Sequence, residues 1–87
     1  MDTLDVDMPT HAYGTMVLTW RSESGVVMEK KDCSRDTVGE TNARVLAFVA
    51  LNRTGRAVEF TADCAGNMLQ YARLCDRLAT VGIKPAQ

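Results

Sequence analysis

Residues 41–61 decide the fold, and they read TNARVLAFVALNRTGRAVEFT. Residues 45–51 are apolar without interruption, and with the polar residues before them they are long enough for a helix rather than a buried strand. Gly55 is placed to stop the helix because glycine adopts the left-handed conformation easily. Residues 57–61 then alternate between apolar and polar side chains, which is typical of a strand. The stretch therefore predicts a helix buried on all sides, followed directly by a short strand.

A hairpin is predicted upstream of this helix. Residues 13–21 alternate with a period of two, and Trp20 belongs to their apolar side. Residues 22–25 form a polar tetrad that ends in glycine, and residues 26–31 resume an extended pattern. Residues 32–39 are polar and rich in turn formers, so we expect a loop there.

The two helices have recognisable boundary signals. Thr37-Val38-Gly39-Glu40 has the form in which a hydroxyl and a carboxylate satisfy the free amides of a first helical turn, so the first helix begins near it. A second helix follows from Ala65, and Gly82 and Pro85 end it. Its predicted apolar stripe consists of Cys64, Met68, Tyr71, Cys75 and Leu78. Because a strand, a helix and a strand follow one another, we expect a crossover connection and a parallel strand pair.

The start of the chain, residues 1–11, is acidic and contains Asp5 and Asp7 but no Lys or Arg. Two alternatives stay open for it: a short first strand over residues 4–8, or partial disorder. With 87 residues, the chain is expected to form one domain, residues 1–87. The predicted class is α/β (α+β) in the order (β)ββαβα, with a small mixed sheet and two helices.

The charge balance limits the classes of partner that we expect. Ten basic residues against eleven acidic ones give a net charge of −1, whereas proteins that bind by neutralising phosphates carry a basic excess. The balance therefore argues against a nucleic-acid partner. The sequence shows neither a basic start followed by an apolar run nor a stretch of about 20 apolar residues, so we expect a cytoplasmic protein without a membrane segment.

The cysteines are expected to be reduced thiols. Cys33, Cys64 and Cys75 lack CxxC spacing, which argues against a disulfide framework and against zinc. Cys33 falls in the predicted loop. If Cys64 and Cys75 lie on one helix, they are about 16 Å apart along its axis and share no metal ion.

Three local motifs, taken with the order of the elements, resemble the front half of the ribonuclease H fold. Tyr13-Gly14 opens an extended segment like the family's second strand, and Thr41-Asn42 precedes an apolar helix as the family's Thr-x-Asn does. Phe60-Thr61-Ala62-Asp63 is similar to the Thr-Asp at the end of the family's fourth strand. The resemblance spans about residues 13–80. It implies a three-strand meander that leads through a helix to a parallel strand and a second helix.

Ribonuclease H enzymes cut the RNA of a hybrid duplex with two divalent cations held by four carboxylates. By this resemblance, Asp63 matches the fourth-strand carboxylate, and Asp7, or else Asp5, matches the first-strand one. The helix glutamate position falls on Leu46, and the fourth carboxylate falls beyond the sequence. Since two-metal chemistry needs several carboxylates at once, we expect no active nuclease. Asp7 and Asp63 with Mg²⁺ or Mn²⁺ remain the alternative.

The remaining candidates each have a structural explanation. Asp63 suits the N-cap of the second helix as well as a metal site. Trp20, Lys30, Lys31 and Arg35 are the candidates for a nucleic-acid surface. Core packing is the better explanation for Trp20, and solvated strand ends explain the cations.

The sequence therefore favours a small non-enzymatic binding or regulatory protein without a cofactor. We expect it to present a sheet edge or its acidic first segment to a protein partner, or to a second copy of itself. Phage-encoded inhibitors of bacterial defence, such as anti-CRISPR proteins, are often small proteins of this sort. The alternative is a reduced ribonuclease H-like nuclease or nucleic-acid-binding module.

Overall fold

Seven elements follow one another in the chain. They are the strands β1 (Asp2–Asp7), β2 (Gly14–Arg21) and β3 (Val27–Arg35), the helix α1 (Val38–Asn52), β4 (Val58–Asp63), the helix α2 (Met68–Ala79) and β5 (Lys84–Pro85). The computed structural model describes residues 1–9, 14–35 and 37–86, so the predicted strand start at Tyr13 lies outside the described residues. The predicted α/β class, with a mixed sheet and two helices, is confirmed.

The sheet has the strand order β3-β2-β1-β4-β5. β1 pairs antiparallel with β2 and parallel with β4, and β5 adds parallel to β4. The connection from β3 through α1 therefore crosses over β2 and β1, and β4 joins the sheet on the far side of β1. Of the two alternatives for the acidic first segment, the strand is the one observed, and this strand occupies the centre of the sheet.

β1 divides its side chains between two environments. Leu4 and Val6 are buried, while the intervening Asp5 and the final Asp7 point to the opposite face. Leu4 is the register partner of both Trp20 on β2 and Phe60 on β4, so one buried row crosses three strands. This row fixes the register, because a slip by one residue would bury the carboxylates.

α1 begins where the sequence predicts. Thr37 is the N-cap, and its hydroxyl accepts a hydrogen bond from the Glu40 amide at 3.1 Å. Burial on all sides is wrong, because Leu51 is 78% exposed. Both helices cover the same face of the sheet, so the outer side of each meets water. Neither of these two described helices is long and apolar enough to cross a membrane.

The buried side of α2 differs from the predicted stripe. The buried residues of α2 are Gln70, Leu74 and Leu78. Met68 is 83% exposed, and Cys64 precedes the helix, so of the predicted stripe within the helix only Leu78 is fully buried. The physical reason is Gln70, whose Nε2 donates to Asn42 Oδ1 at 2.8 Å. A polar residue that is buried by pairing with another helix is invisible to hydrophobic periodicity.

β3 is longer than the sequence indicates. The predicted turn is present at Ser22–Gly25, where the Ser22 amide donates to the Val26 carbonyl at 2.8 Å and Gly25 has φ of +87°. The strand then continues to Arg35, through half of the predicted loop. Cys33 is therefore a buried strand residue rather than a loop residue, because its side chain points toward the helices.

The structure has a short final strand, β5, that the sequence analysis does not predict. Gly82 has φ of +78°, and the Ile83 amide donates to the Leu78 carbonyl at 3.0 Å, which turns the chain back toward the sheet. Ile83 is fully buried and the next two residues pair with β4. In the sequence, Pro85 indicates the end of a helix, but proline is also acceptable on an edge strand.

A buried hydrogen bond joins β1 to β2. Trp20 Nε1 donates to Asp2 Oδ2 at 3.2 Å, and Asp2 is only 4% exposed. The Asp2 amide donates to the Ala57 carbonyl at 2.9 Å, so the same residue also binds the chain just before β4.

We expect Asp2→Ala to lower the free energy of unfolding by about 1–3 kcal/mol, because it leaves the buried indole N–H without an acceptor. Asp2→Asn retains an oxygen acceptor and should cost less. Urea unfolding followed by the fluorescence of Trp20, the one tryptophan, measures both. Equal losses in the two variants would contradict the role given to this hydrogen bond.

Candidate functional site

Asp7 and Asp63 lie side by side at the carboxyl ends of β1 and β4. They are register partners in the parallel ladder, and adjacent strands are about 4.8 Å apart. Both residues are exposed, on the face of the sheet opposite the helices. The structure thus brings together the two carboxylates that the sequence singles out.

Asp5 has a structural role on the same face. Its Oδ2 accepts from Arg21 Nε, and its Oδ1 accepts from the Thr61 hydroxyl. These contacts tie β1 to β2 on one side and to β4 on the other. Because both oxygens are engaged, Asp5 is a poor substitute for Asp7 as a metal ligand.

Asp63 does not cap α2, so the N-cap prediction is wrong. The N-cap is Asn67, whose side-chain oxygen accepts from the Gln70 amide at 3.0 Å. Asp63 Oδ1 instead accepts from the Ala65 amide at 2.9 Å, and Ala65 has a positive φ of 52°. The carboxylate therefore stabilises the turn between β4 and α2, whose left-handed Ala65 is unfavourable for a residue with a Cβ.

The third ligand of a two-metal site has no counterpart beside this pair. Leu46 packs against the core on the helix side of the sheet, whereas Asp7 and Asp63 point to the other side. A glutamate at position 46 would thus be separated from them by the sheet itself. Among the described residues, no group of three or more His, Cys, Asp or Glu side chains is placed to hold a metal ion. The pair alone offers oxygen ligands for one hydrated Mg²⁺ or Mn²⁺ ion.

The four candidates for a nucleic-acid surface are not brought together. Trp20 and Arg35 are buried, so neither ring nor guanidinium is open to a base or a phosphate. Lys30 and Lys31 are exposed, but as consecutive strand residues they point to opposite faces. The structure thus agrees with the core explanation for Trp20.

The outer side of β3 is the long free edge of the sheet, which we call the β3 edge (residues 27–35). In the described part of the chain, β3 pairs with β2 alone, and the opposite edge is the two-residue β5. Residues 27–32 are all exposed. Val27 and Met28, at the start of the strand, are 47% and 62% exposed.

Sequence reasoning missed a groove of about 440 Å³ at the start of α2. Its walls are mostly apolar and include Met68 and Tyr71, which the periodicity assigns to the core. Cys64 also lines the groove, and burial raises the pKa of this thiol, with a smaller contribution from the charge of Asp63. The sequence signal that could have revealed the groove is the adjacency of Met68 and Leu69, because two apolar residues at consecutive helix positions cannot both face the core.

Comparisons with known proteins do not add to this description. No protein-family model matches the sequence, and a search of curated proteins finds no match either.

Asp63→Asn should speed alkylation of Cys64 at a given pH. Removing the neighbouring negative charge lowers the raised pKa of the thiol, so more reactive thiolate is present. Mass spectrometry of the native protein after iodoacetamide treatment at several pH values measures the rate at each cysteine. The matched control is Asp32→Asn on β3, which should leave the Cys64 profile unchanged. An unchanged profile in Asp63→Asn would show that the Asp63 charge does not act on this thiol.

Proposed function

We propose that this is a non-enzymatic binding protein that takes up an extended segment of a partner protein along the β3 edge. The observation that supports this most strongly is the edge itself. An outer strand has a row of backbone N–H and C=O groups available to another chain, and here the strand is nine residues long. Added strands bind through these main-chain groups and gain specificity from neighbouring side chains.

The side chains of the β3 edge favour a selective partner. Val27 and Met28 give one end an apolar contact, and Lys30 and Lys31 place one cation on each face at its centre. Edge lysines oppose indiscriminate strand pairing, because a partner without matching charges must bury or repel them. The preferred segment therefore places a carboxylate opposite at least one of the lysines.

The proposed setting is regulatory and cytoplasmic. The cysteines, all three in the described residues, are free thiols, and the cytosol keeps thiols reduced. A small protein that covers a strand of its partner can inhibit that partner simply by blocking the strand. We propose that this protein acts in this way, as a phage-type inhibitor of a host defence protein. Such a role needs neither a cofactor nor a catalytic group.

The double variant Val27→Glu/Met28→Glu should lose the partner. Both residues are exposed, so the charges cost little folding energy but repel an apolar segment. Affinity purification from the source cells, with quantitative mass spectrometry, should show at least a tenfold loss of the specifically enriched protein. The matched control is Met68→Glu/Leu69→Glu on α2, which should retain it. The reverse result would assign binding to the groove at α2 and remove the proposal.

A second candidate is a reduced ribonuclease H-like module that binds or cleaves hybrid duplexes with Mg²⁺ or Mn²⁺. The specific observation in its favour is the register pairing of Asp7 with Asp63. The order of the sheet, a meander followed by a helix, a parallel strand and a second helix, also supports the resemblance. The position of Leu46 argues against catalysis, because a two-metal mechanism needs more ligands than this pair supplies.

We expect no cleavage of an RNA–DNA hybrid by the wild-type protein in Mn²⁺, because two carboxylates are too few to clamp two ions. A gel assay with a labelled RNA strand tests this. Cleavage that disappears in Asp63→Asn but persists in Glu59→Gln, a carboxylate on the same face of β4, would establish the second candidate instead.

A further inference from the structure

The charges along the β3 edge are complementary to themselves. The centre of the strand is Glu29-Lys30-Lys31-Asp32, with an acid on each side of two cations. In a symmetric antiparallel pair of β3 strands that is centred on Lys31, Lys30 of one copy lies opposite Asp32 of the other. Two-fold symmetry repeats that contact, so two opposite-charge pairs form.

The faces of the sheet agree with this register. Lys30 and Asp32 pair with Thr19 and Val17 of β2, which places both side chains on the face away from the helices. Directly opposed residues of an antiparallel pair share a face, so these two side chains can meet across the axis. The two five-stranded sheets then form one continuous sheet, with all the helices on one side.

The neighbouring registers are less favourable. Centring the pair between Lys30 and Lys31 sets Lys30 opposite Lys31 and Glu29 opposite Asp32, so every charged contact is between like charges. Centring it between Lys31 and Asp32 sets Lys31 opposite Asp32, but this register leaves Val27 without a strand partner and places the helices of the two copies on opposite sides of the sheet. Centring on Lys30 pairs Glu29 with Lys31 but leaves the last two residues of β3 without a strand partner. Lys31 is the midpoint of Val27–Arg35, so its register uses the whole strand, with a single like-charge contact at the axis.

We propose that the segment bound at the β3 edge is the β3 strand of a second copy of this chain, paired antiparallel about Lys31. This rests on the proposed function, since it uses the same edge, and it names the partner. The pairing removes the long free edge from both copies, and among the described strands the two-residue β5 then forms the edge at each end of the joint sheet.

A charge exchange tests the register. Lys30→Asp and Asp32→Lys each convert both opposite-charge pairs into like-charge pairs, and each should weaken the dimer by about tenfold or more. The double variant Lys30→Asp/Asp32→Lys recreates both pairs with reversed sign and should return the dimerisation constant to within about threefold of the wild type. Sedimentation velocity of the full chain over a concentration series measures all four proteins.

Far-UV circular dichroism of each variant supplies the folding control. Lys30 and Asp32 are exposed and face neutral residues on β2, so the secondary structure should be unchanged. A monomeric wild type up to millimolar concentration, or a double variant as weak as the single ones, would overturn the inference.

The proposed function has a separate readout. If the wild type is monomeric while Val27→Glu/Met28→Glu still loses another protein from the cell, the edge binds a different partner and only the inference fails. If the wild type dimerises and neither Val27→Glu/Met28→Glu nor the single charge variants alter the dimer, the dimer interface lies elsewhere and the inference fails. The proposed function fails as well only if Val27→Glu/Met28→Glu also retains the cellular partner.

Discussion

The structure depends on the double pairing of β1. This strand forms one ladder with β2 of the meander and another with β4, the strand that returns after α1, so it joins the two parts of the sheet. The buried row Trp20–Leu4–Phe60 holds the two ladders in register on one face, and the contacts of Asp5 with Arg21 and Thr61 do so on the other. Hydrophobic burial fixes which face is which, and the polar contacts fix the alignment of the three strands.

The alternation of side chains along β1 places Leu4 and Val6 on the helix face of the sheet and carboxylates on the opposite face. The odd-numbered residues that follow Leu4 and Val6 point away from the helices, so Asp7 and its partner Asp63 lie on the face of the sheet opposite Leu46 of α1. A catalytic set built from strands and a helix needs all its ligands on the helix face or at a shared rim. This fold offers a carboxylate pair and a long open strand instead.

Local signals predicted the elements that they specify directly. The alternation of apolar and polar residues predicted β2, the polar tetrad predicted the turn before β3, and Thr37 predicted the start of α1. Each of these features depends on neighbouring residues alone. The assignments that failed depend on partners distant in sequence: Gln70 is buried by Asn42, and Cys33 belongs to a strand because β2 continues beside it. The adjacency of Asp7 and Asp63 followed from the resemblance, whereas their common face away from α1 required the observed register.

The central position of β1 also has a consequence for synthesis on the ribosome. The Thr61 hydroxyl and the Asp5 carboxylate that it contacts are 56 positions apart, so one side of β1 stays open until most of the chain has emerged. During that interval the nascent hairpin of β1 and β2 has an unprotected side, and such sides are where growing chains associate wrongly. The carboxylates of β1 keep this exposed strand charged and hydrated while it waits, so the acidic residues that define one face of the mature sheet also act as solubilising groups during translation.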